Sequence, residues 1–243
     1  MNAAAAAFWG AVGASSLLVG AVLALRLRPS NRALGLVMGF GAGTLISAIA
    51  YELVPESANA SWRPAVGLGI GALTYFVGDL LVERGGGADR KRIEGKPSQD
   101  TAGTAIFLGT LLDGIPESMI LGMGLALGGS VSLAFLAAVF LSNLPEAMAA
   151  TASMQRAGSP QGHILRMWLA LVVASAAAAA LGYVIVSQLS GFDGVLAQAF
   201  AAGAMLTMLA DTMIPEAFEH GGRVVGLVTV LGFVLAAALS AAE

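Results

Sequence analysis

A proline–glutamate pair recurs four times inside otherwise apolar segments, at Pro55-Glu56, Pro116-Glu117, Pro145-Glu146 and Pro215-Glu216. Around the second pair, Asp113 and Glu117 stand four residues apart, so a helix would carry both carboxylates on one face, one turn from each other. Two carboxylates that close disfavour joint ionisation unless a cation lies between them. Pro116 has no N–H and cannot bond the carbonyl of Leu112, which leaves a further hard oxygen near Asp113. Around the third pair, Asn143 and Glu146 are three apart, Ser142 precedes Glu146 by one turn, and Pro145 releases the carbonyl of Leu141. Asp113, Glu117, Ser142, Asn143 and Glu146 are all oxygen donors if Asn143 ligates through its carbonyl, and such a set suits a divalent metal ion. The same residues also permit plainer readings: protonated acids hydrogen-bonded between helices, a proton relay, or ordinary interhelical bonds from Ser142 and Asn143.

The elements that position these groups follow from composition. The chain has 57% hydrophobic and 11% charged residues and a mean hydropathy of +0.82, far outside the soluble range. An all-α, polytopic membrane protein is expected. Eight apolar stretches of about 20 residues can be drawn, at 5–25, 33–54, 64–82, 104–127, 131–154, 165–189, 194–217 and 223–241. They use nearly the whole chain, so a single transmembrane domain over 1–243 is expected, with no room for a soluble catalytic domain. A carboxylate in mid-membrane costs about 2.5–3.5 kcal/mol on insertion scales. No lysine or arginine lies at the depth of the central acids to offset that cost, which again points to a bound cation.

Alternate loops carry Arg26, Arg28, Arg32, Arg84, Arg90, Lys91, Arg92, Lys96, Arg156, Arg166 and Arg223, against Arg63 alone on the other side. This asymmetry predicts that the basic loops face the cytoplasm and both termini face out, in a cell (inner) membrane. The first apolar stretch lacks a basic leader and is followed by arginines, so it is expected to be a retained span rather than a signal peptide. The polar, glycine-rich loop at about 84–103 predicts a flexible cytoplasmic linker. With no cysteine, thiolate ligands and disulfides are excluded. The net charge of −3 hides the sidedness; the basic loops fit anionic lipid headgroups, and no nucleic-acid partner is expected.

An internal repeat is visible. Gly41–Ser57 and Ala201–Ala217 align without a gap, each ending in Pro-Glu, and loop counting runs these two spans in opposite directions. Leu112–Ser118 and Leu141–Ala147 align in the same way in adjacent, antiparallel spans. Inverted repeats with proline-interrupted helices are how many secondary transporters build a midplane site. Glu52 and Glu56 at the outer end of the second span, and Asp211 and Glu216 in the inner half of the seventh, are candidates for an entrance and an exit. Glu56 pairing with Arg63, and Glu216 sitting in headgroup water near Arg223, are the plainer alternatives. For Asp79, snorkelling or pairing with Arg84 is the expected account. His163 and His220 fall at cytoplasmic loops, where a transient metal contact is a further option.

At these residues the chain resembles the ZIP (Zrt-, Irt-like protein) family of divalent-metal transporters over essentially its whole length. The resemblance implies eight spans, both termini outside, a variable loop after the third span, and a metal site on the fourth and fifth. The family's His-Asn-x-Pro-Glu-Gly in the fourth span is matched here by Asp113-Gly114-Ile115-Pro116-Glu117-Ser118. Its Gln- or His-Asn-x-Pro-Glu-Gly in the fifth is matched by Ser142-Asn143-Leu144-Pro145-Glu146-Ala147. By that resemblance Asp113, Glu117, Ser142 and Glu146 match ligands of a first metal, and Asn143 a ligand of a second. The chain departs from the pattern where Asp113 replaces histidine and Gly114 asparagine. It also departs in the sixth span, which lacks the glutamate of bacterial relatives. A single site is therefore the expectation, and the loss of imidazole shifts the donor set toward oxygen, suiting manganese or ferrous iron as well as zinc.

The function expected from these residues is carriage of a divalent transition metal (zinc, manganese or iron) toward the cytoplasm, the direction being implied by the resemblance. The metal is substrate, and no prosthetic group is expected. A proton or monovalent-cation carrier, or a non-transporting metal sensor, remains the alternative. No serine, histidine and acid set of hydrolase type falls in the spans, so an enzyme is not expected. The resemblance implies a homodimer, and glycine-rich runs such as Gly67–Gly71 would allow close helix packing.

Overall fold

The computed structural model describes residues 2–54, 62–84, 102–128, 131–188 and 194–242. The predicted linker at about 84–103 lies almost wholly outside these residues, as does Glu56. Among the described residues every regular element is helical. We number the rods α1 (Ala3–Leu27), α2 (Asn31–Leu53), α3 (Arg63–Val82), α4 (Ala102–Gly128), α5 (Leu133–Arg156), α6 (Gln161–Gln188), α7 (Gly194–Gly221) and α8 (Val224–Ser240). The first seven are long and apolar enough to cross a membrane, which makes this a multi-pass membrane protein. The last, at 17 residues, is shorter.

Starts and stops obey local chemistry. Asn2, Ser30 and Ser132 cap α1, α2 and α5, their side-chain oxygens accepting from the backbone N–H three residues on, at 3.0, 3.2 and 3.0 Å. Pro64 sits in the first turn of α3, where its missing N–H has no intrahelical role. Contrary to the expectation of interruption, α4 and α5 run unbroken through Pro116 and Pro145. The wide turns lie elsewhere. The π-helical stretches Ile49–Leu53 in α2 and Leu209–Met213 in α7 immediately precede Val54-Pro55 and Ile214-Pro215. In the first the Val54 N–H donates to Ile49 O at 3.0 Å, and in the second the Ile214 N–H donates to Leu209 O.

Helices associate in lipid through close backbone contact rather than apolar burial, and small residues permit it. A Cβ added at Gly122 would strike the carbonyl of Ala179, and one at Gly182 the carbonyl of Met119, so α4 and α6 lock reciprocally. Gly71 meets Phe200 and Gly203 meets Leu68, joining α3 to α7; Gly43 meets Thr229 and Gly232 meets Phe40, joining α2 to α8. Gly67 and Gly71 are thus used within the chain, against Leu196, Ala199 and Phe200 of α7, and only Gly69 of that run meets nothing.

Two sets of helices result. In one, α6 packs on α1 and α4, and α1 on α5; in the other, α3 packs on α7, and α2 on α8 and the end of α7. The broadest contact between the sets is α2 against α5. Trp168, fully buried in the first set, donates its indole N–H to Thr151 Oγ1 at 2.9 Å and so ties α6 to α5. Large apolar side chains such as Leu73, Phe76, Leu227 and Val230 point outward, as a lipid-facing surface requires.

Candidate metal centre and its approaches

The predicted donors of α4 are deeply buried. Asp113 is 3% and Glu117 1% exposed, on the same helical face, in a rod with no basic residue between Ala102 and Gly128. On α5, Ser142 and Asn143 are buried and Glu146 is half-buried. Ser142 donates its hydroxyl to Val139 O at 3.0 Å, leaving its oxygen lone pairs as its remaining function. The two rods meet only over a short stretch, because α4 packs chiefly on α6 and α5 on α1 and α2. The α4 and α5 donors are therefore not zipped along a shared seam. Gly114 faces α6: a Cβ there would lie 3.7 Å from Ser175 Oγ.

A residue that sequence reasoning missed enters from α3. Tyr75, 3% exposed, donates its hydroxyl to Asp113 Oδ1 at 2.6 Å. A donor to one carboxylate oxygen fixes the rotamer of the group and biases which oxygen is presented inward. The clue was the spacing Gly67, Gly71, Tyr75, Asp79, which is the buried stripe of α3. Asp79, on that stripe one turn beyond Tyr75, is also buried, at 7% exposure, so of the two accounts expected for it, snorkelling or pairing with Arg84, the first does not hold.

The close approach of α2 to α5 occurs beside Ser142. A Cβ at Gly41 would sit 3.0 Å from both Leu141 O and Ser142 Cα, and 3.2 Å from Met213 Cε in the wide turn of α7. Leu141 O is the carbonyl whose partner Pro145 removes, so the oxygen released by that proline lies where a Cβ at position 41 would meet it. Any side chain at position 41 would press on the donor-bearing turn of α5.

On one side a cavity of about 390 Å³ is lined by Glu52, Ser132 and Gln198 among apolar residues of α2, α4, α5 and α7. Its wall includes Ile120 and Leu121, the turn of α4 that follows Glu117. Glu52, predicted as an entrance residue, is half-buried there and accepts from Ser240 Oγ at 2.5 Å.

At the opposite end of α7 lies the one set of three acidic or imidazole ligand atoms, among the described residues, within 4.8 Å of one another: Glu216, Glu219 and His220. The positions i, i+3 and i+4 bring them to one face. His220 Nδ1 is 3.2 Å from Glu216 O and 3.4 Å from Glu216 Oε1. Glu216 is 6% exposed, so it does not stand in open headgroup water. Sequence reading had named Glu216 and His220 separately; the spacing Glu216-x-x-Glu219-His220 could have joined them and added Glu219. Asp211, grouped in advance with Glu216, is exposed and lies apart from this set. Asp113, Glu117 and Glu146 do not close to the spacing of the α7 group.

Carboxylates, a hydroxyl and an amide at this depth can replace the water shell of a hard or borderline dication, and the α7 group adds one imidazole. Compared with models of known protein families and with curated proteins, the chain matches none.

Proposed function

We propose that this protein is a carrier of divalent transition-metal cations (zinc, manganese or iron), similar in mechanism to the ZIP family, that moves them toward the cytoplasm through a carboxylate site on α4 and α5. The observation that carries the reading is the burial of Asp113 and Glu117 on one face of a membrane-crossing helix with no basic residue of its own. A dication is the simplest compensating charge for such a pair. On this reading α8, about 26 Å long, makes the eighth crossing of a bilayer whose core is about 30 Å thick, and both termini lie outside. The wide turns of α2 and α7 fall at identical positions in the Gly41–Ser57 and Ala201–Ala217 alignment, which supports an inverted repeat.

Metal would arrive by the cavity at Glu52, settle among Asp113, Glu117, Ser142, Asn143 and Glu146, and leave past Glu216, Glu219 and His220. Transport then consists of one helix set rocking against the other. The Tyr75–Asp113 bond and the Gly41–Ser142 contact both cross the boundary between the sets, which supports a site that opens and closes with such a motion. Ligation exchanges protons for metal at the carboxylates, which gives a linkage to protons. Gly114 in place of the asparagine of the ZIP motif, and a sixth span without a glutamate, favour a single site. A homodimer is the expected assembly.

The test is flux of labelled manganese, zinc, iron and sodium into proteoliposomes for the wild type and for Glu117→Gln with Glu146→Gln. Transition-metal flux that vanishes in the double variant supports the proposal. Undiminished flux sinks the site, sodium flux alone favours a monovalent carrier, and metal binding without flux favours a sensor.

A further inference from the structure

Three helix ends meet at the basic face of the molecule: the last turn of α1, the first of α2 and the last of α5. Between them is a pocket of about 400 Å³, lined by Arg28, Asn31, Gln155 and Arg156 over a floor of Ala24 and Ala152. Arg28 holds φ 46° and ψ 60°, the left-handed conformation that closes helices and that glycine usually takes. An arginine there is unfavourable unless its side chain is wanted, and such outliers gather at binding sites. The N-terminus of α2, capped by Ser30, adds the positive end of a helix dipole beside Asn31. Immediately before Arg28, Leu27 is 68% exposed, an apolar surface next to the cationic pocket.

We infer that this pocket seats the phosphate headgroup of an anionic phospholipid, with Arg28 and Arg156 on the phosphate, Asn31 and Gln155 on the glycerol or headgroup hydroxyls, and an acyl chain along Leu27. The two guanidiniums match phosphate oxygens by charge and by their paired donors. The apolar neighbour at a membrane surface selects lipid over free phosphate as the source. The inference is independent of the transport reading: it requires only that the helices cross a membrane.

The purified full chain in detergent would be titrated with phosphatidylglycerol and with phosphatidylcholine, with native mass spectrometry and thermal unfolding as readouts. Wild type is expected to bind phosphatidylglycerol preferentially and to be stabilised by it. Arg28→Gly with Arg156→Gln removes both guanidiniums while giving position 28 the residue its backbone favours, and should weaken that preference on the order of tenfold. Arg26→Gln with Arg32→Gln removes two charges at the same end outside the pocket, and should weaken it clearly less than the pocket pair does. Lysine at 28 and 156 should restore the part of the binding that charge supplies, which separates lost charge from damaged fold. Equal losses in the two double variants, absence of a preference in wild type, or an equal stabilisation by inorganic phosphate would each overturn the inference.

Discussion

Replacing Tyr75 by phenylalanine tests whether the buried carboxylate of α4 is aimed by α3. Phenylalanine fills the same volume in a site only 3% exposed, so packing against α4 is kept and one hydroxyl is lost. That hydroxyl donates to Asp113 Oδ1 at 2.6 Å, a short bond to an acceptor 3% exposed. Hydrogen bonds to charged groups contribute about 1.5–3 kcal/mol, and 1.4 kcal/mol is about a factor of ten. Metal affinity should therefore fall about 10- to 100-fold, the range expected when the partner of a ligand is lost. Calorimetric titration with manganese and zinc, alongside flux in proteoliposomes, reads this directly. A double-mutant cycle in stability with Asp113→Asn supplies the control, since the charge-assisted part of the bond is then already gone and Tyr75→Phe should cost about 1 kcal/mol less or better. Unchanged metal affinity in Tyr75→Phe, or losses that add fully in the double variant, would refute the positioning role.

Other expectations follow from the same contacts. Gly41→Ala should destabilise the protein by about 1–3 kcal/mol through overpacking and cut flux, because its Cβ would press on Leu141 and Ser142. Gly69→Ala, with nothing nearby, should be neutral or stabilising by up to about 1 kcal/mol; thermal unfolding in detergent compares the two. Glu219→Gln with His220→Ala should remove one weak metal from equilibrium dialysis and lower maximal flux while leaving the external half-saturation concentration unchanged. Trp168→Phe, which deprives buried Thr151 of its indole donor, should cost about 1–2 kcal/mol of stability with little change in metal affinity.

The rods themselves were legible because each is a long apolar run, and hydropathy along the chain needs no knowledge of neighbours. The stretch read as 64–82 is α3 at Arg63–Val82, and 165–189 is α6 at Gln161–Gln188. The burial of Asp113 and Glu117 on one face followed from their four-residue spacing. Neighbours were another matter. That α4 packs on α6 rather than along α5 depends on Gly122 and Gly182 meeting backbone at matched heights, which has no periodic signature in either segment. Tyr75 looked like one more aromatic residue in an apolar span, since its partner lies 38 positions away. The prolines misdirected the reading of helix breaks: Pro116 and Pro145 remove one bond each without ending the rod, while the wide turns fall before Pro55 and Pro215. Glu56 and most of the 84–103 loop lie outside the described residues.

Those wide turns carry a geometric consequence. An α-helix advances about 100° per residue, so one extra residue in a turn rotates everything after it by about that angle while the rod keeps its course. α7 makes use of the change. Before the turn its glycine Gly203 is pressed to Leu68 of α3; beyond it Ala217 and Gly221 are pressed to Gly35 of α2. A single straight helix would keep one stripe toward one neighbour along its whole length. The inserted residue lets α7 exchange partners midway, whereas the wide turn of α2 at the matching position is the last turn of that rod. The α7 span is thereby two half-helices with separate allegiances, joined without a loop inside the bilayer.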